Sequence, residues 1–350
     1  MVYLSDMKEP LESTDLKIVV IGGGTGSFTL LSALKSHSNS LTAIVNMVDD
    51  GGSTGVLRDE LGVLPPGDVR QCLVALSNSP KLRDLFNYRF EEGTFEGHAF
   101  GNVFLSALEK VTGNFNEAVE TASEILNVKG RVVPATLDDI RLKMEWPNAS
   151  ITLHGERVID ADHFQKDPRT ATLSLVPVAK ANSHAVEAIK EADIVVVAPG
   201  DLYTSLGPLL IIDEIGQALQ ETKAPVVYVA NLVTKRGQTD GFAVSDHAAE
   251  IERFAKAPIL DYVLFNSQEP DKELAEKYRE SEGALVVEAD VAKMESMHYE
   301  AIGGEFLGRV AEAHANDKLP VTRSLIRHNT LALADAIIEL YEHIQSRSGK

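Results

Sequence analysis

Lys17–Ile21 (KIVVI) runs directly into Gly22-Gly23-Gly24-Thr25-Gly26, and Ser27–Ser36 (SFTLLSALKS) follows. The first five residues form a short β-branched apolar run, the pattern of a strand buried on both faces. The glycines make a tight turn, and Phe28, Leu31 and Leu34 then recur at helical spacing. A second strand, Leu41–Val48 (LTAIVNMV), ends in another polar glycine loop, Asp49–Gly55 (DDGGSTG). Strand, glycine loop, helix and strand within about thirty residues make a βαβ unit, which implies a parallel pair.

The same grammar returns downstream. Asp193–Ala198 (DIVVVA) leads into PGDLYTS, Ala224–Ala230 (APVVYVA) into NLVTKRGQTDG, Leu260–Phe265 (LDYVLF) into NSQEP, and Ala284–Glu288 (ALVVE) into AD. Ser183–Glu191 and Ser245–Lys256 read as helices between these strands. The expected fold class is therefore α/β, a Rossmann-like doubly wound and mostly parallel sheet whose strand ends carry the ligand loops. One stretch breaks the pattern. Ile140, Leu142, Met144 and Trp146 alternate with polar residues, a Pro-Asn turn follows, and Ile151 and Leu153 resume the alternation. Period two with a turn predicts an antiparallel hairpin, extended by Thr172–Val176, so a smaller antiparallel β insertion is expected at about residues 128–178. Residues 1–15 are expected to be a disordered tail. Residues 16–350 then form one nucleotide-binding domain, closed by an amphipathic helix at Leu331–Gln345.

The 350 residues carry 33 Lys+Arg against 52 Asp+Glu, a net charge of −19. So acidic a chain repels phosphate on average, which argues against non-specific nucleic-acid or anionic-membrane binding but not against a small phosphorylated ligand in a local pocket. The single cysteine, Cys72, excludes an intrachain disulfide and any multi-cysteine metal site. No apolar run approaches the ~20 residues that cross a bilayer. The polar, acidic N-terminus is unlike a secretory signal, so the expected compartment is the cytoplasm.

The loops carry the candidate chemistry. Gly22, Gly23, Gly24, Thr25 and Gly26 let main-chain N–H groups approach a phosphate at the start of a helix. The dinucleotide fingerprint is broken, because Ser27 stands at its sixth position. Asp49 and Asp50, followed by Gly51, Gly52 and Ser53, suit ribose hydroxyls or a Mg²⁺ ion held against a diphosphate; a solvated acidic turn is the plainer alternative. Pro66-Gly67-Asp68 fixes a turn in which Asp68 is placed to cap a helix, and Arg70 follows it. His98 and Asn102, flanked by glycines, read as backbone held close to a ligand. Gly200, Asp201, Tyr203, Thr204 and Ser205 form a second anion cradle at a strand end. Asn231 and Thr234, with Lys235 and Arg236, offer amide, hydroxyl and cationic groups. No hydrolytic triad, metal-binding His pair or glycosidase carboxylate pair stands out, which favours binding and phosphoryl transfer over hydrolysis.

Read together, GGGTG, DDGGSTG, LGVLPPGDVRQCLVAL, FNYRF, GHAFGN, PGDLYTS and the Asp246-His247 pair resemble the YvcK-type gluconeogenesis factors of the CofD-like (2-phospho-L-lactate transferase) superfamily. The resemblance runs from about Lys17 to the C-terminal helix. It implies a cytoplasmic protein that binds UDP-N-acetylglucosamine, with an NAD-type dinucleotide as another occupant. It further implies support of cell shape during gluconeogenic growth, action on a regulated enzyme of amino-sugar metabolism, and a homo-oligomer. The transferase branch instead moves a phospholactyl group from a guanosine diphosphate donor, with Mg²⁺ on an acidic loop; by this resemblance Asp49 and Asp50 are the metal candidates. Thr25 matches the nucleotide-loop threonine of the family. Tyr278 matches a ligand-stacking tyrosine, Arg327 a ligand-contacting arginine, and Thr330 a nearby threonine open to phosphorylation. Asp201 stands where the family usually has Ser, and Gln238 where Glu is common.

Overall fold

The computed structural model describes residues 14–308 and 326–348. Ten strands follow in chain order: β1 (Thr14–Gly22), β2 (Ser38–Val45), β3 (Arg131–Pro134), β4 (Arg141–Trp146), β5 (Ile151–His154), β6 (Thr172–Val176), β7 (Ile194–Val197), β8 (Val226–Val229), β9 (Tyr262–Asn266) and β10 (Glu300–Gly304). Seven of them form one parallel sheet in the order β10-β9-β8-β7-β1-β2-β3. From β1 the chain moves outward through β2 and β3, then returns to β7 on the other side of β1 and moves outward again. The β1–β7 junction is thus the topological switch point, where doubly wound sheets open a crevice beyond their strand ends.

The centre of the sheet is held by alternating burial. Val19 and Ile21 of β1 enter the core on one face and Ile18 and Val20 the core on the other, all almost fully buried. β7 is four β-branched residues, Ile194, Val195, Val196 and Val197, with no exposed surface. Helix Gly24–Leu34 and the C-terminal helix Thr330–Ser348 cover one face. The other face is covered partly by a separate antiparallel sheet in the order β5-β4-β6, whose Leu142, Met144, Trp146, Leu173 and Leu175 point into that core.

Three sequence expectations need correction. Arg131–Pro134 pairs in parallel with β2 and belongs to the large sheet, so the antiparallel part starts at Arg141 rather than near residue 128. Ala284–Glu288 is no strand of the sheet. It makes only isolated bridges, Val286 to Val233 and Glu288 to Ala243, and lies across the loop after β8 with Leu285 exposed. The edge position belongs instead to β10, which contains Gly303 and Gly304. A Cβ on Gly303 would stand 2.9 Å from the Phe265 ring, so a glycine is what lets this strand lie against β9. The predicted N-terminal tail falls outside the described residues, apart from Thr14 and Asp15, which extend β1.

The two glycine-loop segments flanking the switch point nearly touch. A Cβ on Gly26 would overlap the Pro199 carbonyl oxygen, and one on Gly22 would run into Ser27 Oγ. Backbone overlap of this kind cannot be relieved by a rotamer change. Gly26→Ala should therefore destabilise the fold by about 1–3 kcal/mol, read as a lower denaturation midpoint at unchanged m-value.

Candidate functional site

A cleft of about 810 Å³ opens at the switch point. Thr25 and Gly26 at the N-terminus of helix Gly24–Leu34 form one wall, and Gly200 and Asp201 beyond β7 form the opposite one. Asn231 and Thr234 beyond β8 continue the lining, and Tyr278 and Arg327 close the far side. The helix N-cap is Gly23, which supplies no capping side chain, and Gly24 sits at φ +61°, a conformation costly for other residues. N–H groups at this terminus carry the positive end of the helix dipole into the cleft.

Each wall is held by named contacts. Asn231 clamps the Gly200 backbone, its Nδ2 donating to the carbonyl at 2.9 Å while its Oδ1 accepts from the amide at 3.3 Å and from the Tyr228 hydroxyl at 3.2 Å. Its amide is thereby committed to shaping the loop. Thr234 is buried, and its Oγ1 accepts from Leu285 N at 2.9 Å. Tyr278 packs with Leu232, Ala284 and Ile326 at the cleft edge. Lys235 bridges Asp201, at 2.9 Å, and Asp160 on the short helix Glu156–Ala161. Burial opposes its charge, yet these two carboxylates hold the ammonium above its ordinary value. His328 also lines the cleft; burial lowers it to about 4, so it is neutral near pH 7, with Nε2 3.1 Å from the Ala230 carbonyl.

The second glycine loop stands behind this cleft. Asp49, Asp50, Gly51, Gly52, Ser53, His98 and Asn102 are not among its lining residues. Asp49 Oδ1 accepts from Gly51 N at 2.9 Å, and Asp50 accepts from Glu156 N and Arg157 N at 3.2 and 2.8 Å, capping the short helix of the insertion. Asp68 is not the expected cap: helix Gly67–Leu76 starts from Pro66, and the Asp68 carboxylate accepts from the Gly24 amide beneath the first glycine loop. Burial, then the charge of Asp49, pushes Asp68 up to about 7. Burial, then Asp49 and Asp160, pushes Glu156 up to about 8. Asp49 is also raised by burial, with the Gly51 amide and Thr54 hydroxyl opposing. Among the described residues, no group of three or more His, Cys, Asp or Glu side chains is arranged to hold a metal ion.

The PGDLYTS reading is only partly met. A single π turn at Leu202–Leu206 turns Tyr203 into the core, where its hydroxyl donates to Glu250 at 2.9 Å. Thr204 is buried too, its carbonyl accepting from Asn46 Nδ2, and Ser205 donates its amide back to Asp201. Gly200 and Asp201 alone of this loop's five candidates face the cleft. His98 lies in the turn after residue 88, with Nδ1 3.3 Å from the Glu96 carbonyl. Asp160 and Glu156 went unnoticed in the sequence, because their role depends on the insertion folding back over the loops. Gln238 Nε2 donates to the carbonyls of Ile159, Asp160 and Asp162, at 2.8–3.2 Å, which a carboxylate cannot do.

These features define a doubly wound α/β protein with a polar, helix-N-terminal ligand cleft at its switch point. The chain belongs to the family described as 2-phospho-L-lactate transferase CofD, which it matches over residues 18–307. It is 37% identical to the gluconeogenesis factor of Listeria monocytogenes over 336 residues, covering 94% of this chain and 97% of that protein. The gluconeogenesis factor of Listeria innocua is 36% identical over the same shares of the two chains. The crystal structure of a UPF0052-family protein from Bacillus halodurans superposes with a TM-score of 0.82 at 35% identity, covering 93% of this chain and 100% of that one. Among the described residues, no helix is long and apolar enough to cross a membrane.

The raised acids make a pH prediction. Glu156 and Asp68 keep their protons in the folded state while the unfolded chain releases them, so stability falls as pH rises from about 4 to about 8. Glu156→Gln should leave the melting temperature nearly unaltered at about pH 4 and raise stability by about 1–2 kcal/mol at about pH 8.5. An equal gain at both pH values would show that the proton is not the cause.

Proposed function

We propose that the switch-point cleft binds a nucleotide sugar of the UDP-N-acetylglucosamine type, and that the protein is a cytoplasmic gluconeogenesis factor. In this reading it senses that ligand, acts as a homo-oligomer on an enzyme of amino-sugar metabolism, and supports cell morphogenesis during gluconeogenic growth. The observation that carries the ligand class is the pairing of a helix N-terminus whose N-cap, Gly23, brings no side chain, exposed Thr25 and the cations Arg236 and Arg327 in one polar cleft of about 810 Å³. That volume lies within the range of about 300–1,000 Å³ common for small-molecule sites. The diphosphate would lie against the Thr25–Gly26 backbone, where amide dipoles favour negative charge. Tyr278 offers an aromatic edge to base or sugar. The names of the Listeria relatives support the physiological part of the reading.

The alternative is a phospholactyl transferase with a guanosine diphosphate donor and Mg²⁺, as the family description suggests. The donor set argues against it. Both Asp50 oxygens accept main-chain N–H bonds, Asp49 Oδ1 does the same, and neither residue lines the cleft. These groups do not fit a dicarboxylate metal seat.

Calorimetric titration separates the readings. UDP-N-acetylglucosamine should bind selectively over NAD and guanosine diphosphate, with the same affinity with and without Mg²⁺. Thr25→Val should weaken it at least ~10-fold, since a hydrogen bond to a charged group contributes about 1.5–3 kcal/mol. Selective, Mg²⁺-dependent binding of the guanosine ligand would instead establish the transferase reading, and tight NAD binding a dinucleotide site.

A further inference from the structure

A cationic cluster stands beside the second glycine loop, outside the large cleft. Arg70, on helix Gly67–Leu76, is only 9% exposed. Its Nε donates to Asn102 Oδ1 at 2.9 Å and its Nη1 to Asn87 Oδ1 at 2.6 Å, so both partners are neutral amides. Among the described residues, Nη2 makes no hydrogen bond and no carboxylate lies within ion-pair distance of the guanidinium. A Cβ on Gly101 would stand 2.7 Å from Arg70 Cδ, so the side chain runs tightly along that backbone to reach its place.

A second cation adds to the imbalance. Arg89, exposed, donates to the Gly97 carbonyl and likewise has no carboxylate partner among the described residues. Burial first, and the Arg89 charge second, hold the Arg70 guanidinium down at about 10, with Asp68 and Asp49 opposing. A buried cation without a paired counter-ion, next to another cation, is an arrangement that an anion relieves. It is conspicuous in a chain of net charge −19.

The surrounding donors converge from several directions. The Asn102 amide that holds Arg70 also turns its Nδ2 towards Ser53 Oγ and Thr54 Oγ1, both at 3.4 Å. One side chain thus joins the guanidinium to the N-terminus of the ten-residue helix Gly52–Leu61, whose N-cap Gly51 provides no capping side chain. Asn87 Nδ2 makes no hydrogen bond among the described residues. Donors spread over a fork, an amide, a hydroxyl and a helix end suit a tetrahedral oxyanion better than a planar carboxylate.

We infer that Arg70, Arg89, Asn87 and Ser53, with the N-terminus of helix Gly52–Leu61, form a second anion site that takes the phosphate monoester of a small molecule. This site lies apart from the nucleotide cleft and does not depend on what that cleft holds.

The test is calorimetric titration of the full chain with inorganic phosphate at low ionic strength, with malonate as a planar-carboxylate comparison. Wild type should bind phosphate saturably and more tightly than malonate. Arg70→Gln and Arg89→Gln should each weaken phosphate binding at least ~10-fold, the scale of losing a charge-assisted hydrogen bond. Arg70 is buried and its variant needs a melting check; Arg89 is exposed, so Arg89→Gln decides the matter in an intact fold. Absence of saturable binding in wild type, or full binding in Arg89→Gln, would overturn the assignment. Loss of binding in Arg236→Ala, with Arg89→Gln unaffected, would put the phosphate in the large cleft and overturn it equally. Malonate binding as tightly as phosphate would remove the tetrahedral ligand class.

Discussion

Everything near the cleft depends on one close approach, that of the Gly26 backbone to the Pro199 carbonyl across the β1–β7 junction. β1 and β7 are neighbours in a parallel sheet, so the segments leaving their carboxyl ends start about one strand spacing apart. Without a side chain at Gly26, helix Gly24–Leu34 can begin at once and lean against the loop beyond β7. Thr25 and Gly26 at its start then line one cleft with Gly200 and Asp201. Asn231 secures the opposite wall by gripping both polar groups of Gly200. The cleft is therefore a product of backbone packing first and of side-chain chemistry second.

Its electrostatics are divided just as sharply. The wall formed by helix Gly24–Leu34 relies on amide dipoles, while Lys235 is tied between two carboxylates and contributes little free charge. Behind the glycine loops, burial first and neighbouring carboxylates second raise Asp68 to about 7 and Glu156 to about 8, and burial also raises Asp49. Acids in that condition are weaker repellents of an anionic ligand than their number suggests. In a chain with a net charge of −19, the acids at the cleft itself, Asp160 and Asp201, are paired with Lys235, and those behind it are buried.

Much of the fold was legible because its signals are local. The KIVVI strand, the two glycine loops and the alternating Leu142, Met144 and Trp146 each state their environment within a few residues. Where local signals were ambiguous, reading failed for physical reasons. Ala284–Glu288 is as apolar as a strand, but its backbone pairs with loop residues Val233 and Ala243. β10 hides behind two glycines, of which Gly303 passes the Phe265 ring and Gly304 the Phe306 ring. Tyr203 looked like a loop residue until the π turn rotated it into the core beside Glu250. In the site, Gly26, Gly200 and Asp201 were readable as strand-end residues. The Asp160–Lys235–Asp201 bridge was not, since it joins positions tens of residues apart through the insertion.

That bridge has a corollary. Asp160 and the carbonyls capped by Gln238 belong to the segment between β3 and β7, whereas Lys235 and the glycine loops belong to the parallel sheet. Replacing or shortening the inserted segment would remove one of the two carboxylates that hold Lys235, leaving Asp201 as its partner, with the strand order, the switch point and the helix dipole in place. A change in that one peripheral module would thus alter the charge at the cleft rim and leave the parallel sheet that forms the cleft unaltered.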